Sequence, residues 1–362
     1  MRYLDNAATG GKKPVSVRYA VLRSVSACAN PGRSGHSRSL RCAQTVFCCR
    51  TLLSDFFGGY GEDRVVFTKN CTEALNLAIL GVLQKGDHVV TTHYEHNSVL
   101  RPLESLREKG IIEYSVTTPE EIPQKIQGNT KAVIVTLASN VTGECIDVAP
   151  IRRAIPPHVL LICDGAQAGG HIPISMKRSG IDALALAGHK GLHAIQGSGA
   201  LLFSDRTEIS PVMYGGTGSE SFRLEMPAFY PDRLEAGTIS YPAIASLKAG
   251  ILYLQKHFAR DSRIIFRRTE ETIAALKMLE EYEVFSEPTP CGIVAFRHKR
   301  FQSETVAEKL NDAGIAVRAG LHCAPLMHRY LSSADGGLVR ASFAADNTAC
   351  DVRKLISVLK KL

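Results

Sequence analysis

Short apolar runs recur along the middle of the chain, and each ends in polar side chains before a segment of helical character. Val65-Val66-Phe67 precedes a helix expected to begin near Thr72, and His88-Val89-Val90-Thr91-Thr92 leads into His93-Tyr94-Glu95-His96. Ala132 to Leu137 leads into Ser139-Asn140-Val141-Thr142-Gly143, and Val159 to Cys163 ends in Asp164-Gly165-Ala166-Gln167. Continuous apolar runs of this length, rich in β-branched residues, read as strands buried on both faces. Their alternation with helical segments from about residue 65 to 205 is the pattern of an α/β fold built on a mainly parallel sheet with crossover helices. Ligands of such sheets bind beyond the carboxyl ends of the strands, so the polar strand exits are where chemistry is expected.

One further exit, Ala185-Leu186-Ala187-Gly188-His189-Lys190, delivers a lysine to an otherwise uncharged turn. Alone, Lys190 reads first as a surface lysine, and Asp164 reads equally well as a helix cap. Together, on the ends of successive strands, they supply what pyridoxal 5′-phosphate (PLP) needs: an amine for the aldehyde, and an acid that keeps the pyridine ring protonated as an electron sink. A carboxylate at a buried strand end needs a cationic partner, which the protonated ring nitrogen would provide.

At 362 residues the chain exceeds one ordinary core, and its tail changes character. Met213 to Glu235 reads as an irregular excursion, followed by a helix from about Ala243 to Phe258 and another from Asp261 to Glu283. A strand (Ile293 to Phe296), a helix (Ser303 to Ala313), a short strand (Ala316 to Arg318) and the segment Leu338 to Phe343 then give a β-α-β-β-α order suited to a small α+β domain. The expected division is a large domain over residues 14–242 and a small one over residues 1–13 plus 243–362.

Charged residues at 22% and apolar residues at 45% are ordinary for a soluble protein. No apolar run approaches the ~20 residues of a membrane span, and Met1 to Asn6 lacks the apolar core of a signal peptide, so a cytoplasmic protein without membrane attachment is expected. The ten cysteines show neither C-x-x-C pairs nor histidine-rich spacing, which argues for reduced thiols and against a metal site. A net charge of +8 is moderate, and its densest cluster, Arg33, Arg38, Arg41 and Arg50, lacks interleaved aromatics, so it reads as solvated surface, or as an attraction for an acidic partner, rather than a nucleic-acid site.

With Lys190, Asp164 and Gln167 placed, a series of further segments falls into register: Leu4 to Thr9, Thr68 to Asn76, His93 to Ser98, Ser139 to Gly143, Gly188 to Lys190, Glu235 to Thr238, and Arg318 to Leu326. In this order they resemble the class V, fold-type I PLP enzymes, and within them the cysteine desulfurases and selenocysteine lyases. The resemblance implies a fold-type I PLP-dependent transferase with a large, mainly parallel, seven-stranded sheet domain and a small α+β domain. It implies a homodimer, L-cysteine as substrate, and a sulfur-acceptor protein of iron–sulfur or other thio-product assembly as a partner.

It also implies residue roles. Lys190, Cys323 and His96 would be catalytic. The cofactor would be held by Asn70, Cys71 and Thr72 at a helix N-terminus suited to phosphate, by His96 stacked on the ring, by Asn140 and Gln167 near the phenolic oxygen, by Asp164, His189 and Lys190, and by Thr217 of Gly215-Gly216-Thr217 reaching a neighbouring subunit. Arg340 would bind the substrate carboxylate, for which a planar fork suits better than an ammonium, with Arg318, Asn6 and Ala7 beside it. Cys323 would take sulfur from the substrate as a persulfide, and a cation such as Arg318 or a protonated His322 would favour its thiolate. Ala187 stands where the family pattern has a serine that donates to the phosphate, which implies weaker cofactor binding, and departures at Ala194-Ile195, Ile239-Ser240 and Asp346 fall where substrate choice would be set. An aminotransferase or β-eliminating lyase of the same class, with Cys323 incidental, and a non-catalytic protein of this fold are the other readings.

Overall fold

The computed structural model describes residues 1–32 and 34–362; Arg33, of the basic cluster above, lies outside the described residues. The chain opens with β1 (Arg2–Tyr3), α1 (Val15–Ser26) and α2 (Ser37–Phe56). The central block runs β2 (Val65–Thr68), α3 (Cys71–Val82), β3 (Asp87–Thr92), α4 (Asn97–Glu108), β4 (Ile112–Thr117), β5 (Thr130–Thr136), α5 (Val148–Ala154), β6 (Leu160–Asp164), α6 (Met176–Ser179), β7 (Ala183–Ala187) and β8 (Gly199–Phe203). The tail comprises α7 (Tyr241–Lys277), β9 (Tyr282–Val284), β10 (Ile293–His298), α8 (Ser303–Asp312), β11 (Ile315–Ala316), α9 (Pro325–Tyr330), β12 (Val339–Ser342) and α10 (Ala349–Leu359).

Seven strands form the main sheet in the order β2-β8-β7-β6-β5-β3-β4, all parallel except β8, which runs antiparallel to both neighbours. Alternation along each strand sends successive side chains to opposite faces. Val133, Val135, Leu161, Leu184 and Leu186 meet Ile244, Leu247, Ile251 and Leu254 of α7, whereas Ile134, Ile162, Ala183 and Ala185 meet Leu75 and Ile79 of α3 and Val99 and Leu103 of α4. Each fully buried Leu or Ile contributes ~1.5–3 kcal/mol of apolar transfer, which is why the central strands are continuous apolar runs. The parallel arrangement brings the exits of β2, β3, β5, β6 and β7 to one edge.

A separate core, with Leu4, Ile273, Phe296, Leu310, Val339, Phe343 and Leu355, surrounds the antiparallel sheet β12-β10-β9. β1 pairs in parallel with β11, so the N-terminus belongs to this part of the molecule. Two expectations change. The helices expected on either side of residues 259–260 are one unbroken helix, α7, and Glu283 lies in β9. No Gly or Pro separates the two halves, and buried Asp261 does not cap a new helix but accepts a hydrogen bond from Tyr253 Oη at 2.9 Å. Arg50 is not solvated surface: it is buried, and its guanidinium holds both carboxylate oxygens of Glu235 at 2.9 and 2.6 Å. Among the described residues no helix is long and apolar enough to cross a membrane.

Candidate active site

At the strand exits lies a cavity of about 220 Å³ whose wall includes Lys190, His96, Asn70, Cys71, Thr72, Asn140, Asp164, Gln167, His189, Arg318, Arg340 and Ala7. Twelve positions spread from residue 7 to 340 thus converge because β2, β3, β5, β6 and β7 end together and β12 is brought against them. Asp164, last residue of β6, is buried; its Oδ1 accepts from Ala166 N at 2.8 Å and from the Cys71 thiol at 3.3 Å. Burial lowers the Lys190 pKa, and Arg340 and Arg318 lower it further against the pull of Asp164. The lysine is thereby biased toward a neutral amine, the form that can act as nucleophile and base.

α3 begins at Cys71, capped by Asn70 Oδ1 accepting from Glu73 N at 2.9 Å. The N–H groups of its first turn precede any intrahelical bond and make an anion-binding end. Thr72 Oγ1 lies 2.7 Å from Ser98 Oγ, and Ser98 N donates to His96 Nδ1 at 3.1 Å, so a neutral His96 carries its proton on Nε2. Burial, reinforced by Lys190, Arg318 and Arg340 against Asp164, pushes the His96 pKa down to about 4. His189, likewise lowered to about 4 by burial and by Lys190, contacts Thr9 Oγ1 through Nδ1 at 3.1 Å. Gln167 Nε2 donates to Ala7 O at 3.0 Å, which ties the N-terminal segment to the cavity wall.

On the opposite wall Arg318 and Arg340 face each other across a two-bond bridge, Arg318 N to Arg340 O at 3.1 Å and Arg340 N to Arg318 O at 2.7 Å. Arg340, 1% exposed, donates through Nη1 to Asn140 O at 2.8 Å and through Nη2 to Asp5 Oδ1 at 3.3 Å; its buried Nε has no partner among the described residues. Burial brings its pKa down to about 10, against the opposing pull of Asp5.

Cys323 stands outside the cavity wall, exposed, with Sγ 3.7 Å from Arg318 Nη2. Its backbone is strained: His322 and Cys323 both adopt left-handed φ, 51° and 59°, a conformation that costs a non-glycine residue about 1–2 kcal/mol. Two hydrogen bonds hold it, Asn140 Nδ2 to His322 O at 2.7 Å and Asn97 N to Cys323 O at 2.8 Å. Asn140 therefore braces both the cysteine loop and Arg340. His322 does not serve as a protonated neighbour of the thiol: burial, with Arg340, His328 and Arg318 close by, drives its pKa to about 2, and its buried Nε2 has no partner among the described residues.

Asn6 and Thr217 are not in that cavity's wall, although Asn6 lines a neighbouring pocket that Lys190 also borders. Asn6 donates to Ser342 O at 3.0 Å and accepts from Gly11 N at 3.0 Å, fastening the N-terminal turn. Thr217 lines a separate pocket with Arg50 and Glu235. Of the departures, Ala187 alone faces the cavity; Ala194 is in the core, and Ile195, Ile239, Ser240 and Asp346 line neighbouring surface pockets. The residues not foreseen are Asp5, which orients Arg340, Ser98, which links Thr72 to His96, and Glu95. Glu95 is wholly buried behind the wall, with Thr92 Oγ1 and Thr136 N donating to Oε1 at 2.7 and 2.9 Å and burial pushing its pKa up to about 8.

The donor set fits PLP together with an amino-acid carboxylate. The wall carries Lys190, Arg318 and Arg340 against the single carboxylate of Asp164, and the unpartnered Nε of Arg340 is a buried donor awaiting an anion.

The family model described as Aminotransferase class-V matches residues 2–355. A probable cysteine desulfurase of Methanothermobacter thermautotrophicus is 32% identical over 99% of this chain and 94% of its own length. One from Pyrococcus abyssi is 33% identical over the same shares. Among solved structures, the apo cysteine desulfurase from Thermococcus onnurineus NA1 superposes with a TM-score of 0.91 at 28% identity, covering 99% of this chain and 94% of that one.

Proposed function

The chain belongs to the class-V aminotransferases, a PLP-dependent family, and from that premise we propose that it is a cysteine desulfurase converting L-cysteine to L-alanine and leaving the sulfur as a persulfide on Cys323. The observation that carries this reading is the placement of Cys323, exposed and held by two hydrogen bonds in a strained backbone next to Arg318 and the cavity. An incidental thiol would not need that support.

PLP when bound supplies the electron sink that makes the substrate's α-proton removable and its carbon–sulfur bond cleavable. Lys190 Nζ is the amine for its aldehyde, Asp164 the acid for its ring nitrogen, and the first turn of α3 with Thr72 and His189 the phosphate side. Arg340 fixes the substrate carboxylate through Nε and Nη2, so that the α-hydrogen and the thiol are presented in one orientation. Lys190 Nζ, biased toward the neutral amine, takes the α-proton and later returns a proton to the product. Neutral His96 offers an N–H at Nε2 on the same wall. Cys323 Sγ attacks the substrate sulfur; one carbon–sulfur bond breaks, one sulfur–sulfur bond forms, and L-cysteine plus enzyme thiol become L-alanine plus enzyme persulfide.

Exposure of Cys323 supports delivery of the sulfur to an acceptor protein, with iron–sulfur cluster assembly a destination that needs persulfide sulfur. A homodimer is supported by the exposed apolar stripe of α1 (Val15, Tyr19, Leu22, Val25), with Leu40 and Phe47 of α2 and Phe222 and Leu224 exposed as well. Thr217, remote from its own cavity, would then serve a partner's. The division into residues 14–242 and 1–13 plus 243–362, and a cytoplasmic setting, complete the reading. The test is incubation of PLP-loaded protein with L-cysteine and a thiol reductant, quantifying alanine, sulfide and pyruvate. Equal alanine and sulfide is the expected result; pyruvate in place of alanine makes it a β-lyase instead.

A further inference from the structure

A second pair of thiols lies in contact away from the cavity. Cys145 Sγ and Cys291 Sγ are 3.5 Å apart although 146 positions separate them in sequence. Cys145 is exposed, whereas Cys291 is 3% exposed and part of the core between the main sheet and the tail. Cys145 sits on the return side of the hairpin that carries Asn140, fixed by Ile146 N to Leu137 O at 3.0 Å and Ser139 N to Glu144 O at 2.8 Å. Cys291 lies just before β10. The two segments are packed closely: a Cβ on Gly143 would stand 3.0 Å from Ile293 Cβ and 3.2 Å from Thr289 Oγ1. The backbones that carry the two thiols are therefore held side by side by the packing of the hairpin on the tail.

The pair is chemically unequal. Contact with the Cys291 sulfur holds the Cys145 thiol below its ordinary value against burial and Glu144, while the same contact, with burial, holds the Cys291 proton well above its own. Of the two, the part-buried Cys145 sulfur, which also lies 3.6 Å from Gly143 O, is the one that ionises first, and the buried Cys291 sulfur keeps a proton to give, which is the asymmetry of an attacking and a resolving thiol.

We propose that Cys145 and Cys291 are an oxidisable dithiol that closes to a disulfide on reaction with hydroperoxides, independently of Cys323. The Cys145 thiolate attacks the peroxide O–O bond, which breaks to give a Cys145 sulfenic acid and an alkoxide; the alkoxide takes up the proton the thiol had released and leaves as the alcohol, or as water when the oxidant is hydrogen peroxide. Cys291 sulfur then attacks the sulfenic sulfur, the S–O bond breaks, and the departing hydroxide carries off the Cys291 proton as water. Two thiols are oxidised and one hydroperoxide reduced. The sulfurs must close from 3.5 Å to the ~2 Å of an S–S bond, a movement within reach of side-chain rotation and slight hairpin shift. The link would tie the Asn140 hairpin to β10, whose Ala295 pairs with Arg340 of β12, while Asn140 O already accepts from Arg340 Nη1. Oxidation would therefore brace covalently the two walls that hold Arg340.

The test treats full-length, PLP-loaded protein with a slight excess of hydrogen peroxide, blocks remaining thiols with N-ethylmaleimide in denaturant, and maps the non-reduced digest by mass spectrometry. The expected result is a Cys145–Cys291 cross-linked peptide that appears as those two maleimide labels disappear, is reversed by dithiothreitol, and forms equally in a Cys323→Ser background. Oxidised wild type should also melt at a higher temperature, a rise missing from Cys145→Ser and from Cys291→Ala. The proposal is overturned if both cysteines keep their labels while oxidation accumulates on Cys323 or Cys28, or if Cys145 proceeds to sulfinic acid with Cys291 still labelled.

Discussion

Replacing Arg340 with lysine keeps a positive charge in the cavity and removes the planar fork. In the native arrangement Nη1 is committed to Asn140 O and Nη2 is only loosely engaged by Asp5 at 3.3 Å, so the edge formed by Nε and Nη2 is the part free for a ligand. A carboxylate there gains two charge-assisted hydrogen bonds of about 1.5–3 kcal/mol each, of which a lysine recovers one. The net loss of about 1.5–3 kcal/mol is a fall of roughly 10- to 150-fold in kcat/KM for L-cysteine. The assay is alanine formation from L-cysteine by PLP-loaded Arg340→Lys, run beside ethylamine formation from cysteamine, which has the amine and thiol but no carboxylate. Preference for cysteine over cysteamine should shrink by the same factor, with the cofactor's absorbance band retained. If the variant loses rate on both compounds alike, Arg340 acts through Asp5 and Asn140 as a brace and the carboxylate assignment fails.

Other consequences follow from the buried charges. Glu235→Ala leaves the Arg50 guanidinium unpaired in the interior and strips the acceptor from Phe67 N, so denaturant unfolding should show a loss of about 3–5 kcal/mol; a loss below about 1 kcal/mol would mean that the pair is solvated. Glu95 keeps a proton in the folded protein up to about 8, whereas the unfolded chain loses it in the ordinary carboxylate range. Between those values unfolding releases a proton, so stability falls as pH rises through the window. Glu95→Gln should match wild type in melting temperature at the acid end and exceed it at the alkaline end; a constant difference across that range contradicts the assignment. With the His96 pKa at about 4, the pH profile of kcat/KM should have no His96 inflection near about 6.5, and an inflection there that vanishes in His96→Gln would contradict a neutral ring.

The main sheet was legible because strands buried on both faces must be apolar throughout, and their polar exits named most of the cavity wall before any contact was known. β4 was not, since at the sheet edge Ile112–Thr117 is only partly buried and alternates Glu113 and Ser115 with apolar residues. The continuity of α7 was hidden because Asp261 breaks the apolar pattern at a buried position, where the Tyr253 hydroxyl and Arg260 of the same helix satisfy it. Partnerships across long separations were equally invisible: Asp5 meets Arg340 across 335 positions, and Arg50 meets Glu235 across 185. The charge state of His322 depends on burial between Arg340, His328 and Arg318, which no local pattern encodes.

The persulfide on Cys323 is the claim on which the rest depends, and a single turnover tests it directly. PLP-loaded protein mixed with one equivalent of L-cysteine in the absence of reductant, quenched with an alkylating agent and measured by intact and peptide mass spectrometry, should gain the mass of one sulfur atom on the Cys323 peptide for each alanine released, and Cys323→Ala should gain none. Alanine released with no added sulfur on Cys323, or with the sulfur on another cysteine, would contradict the account.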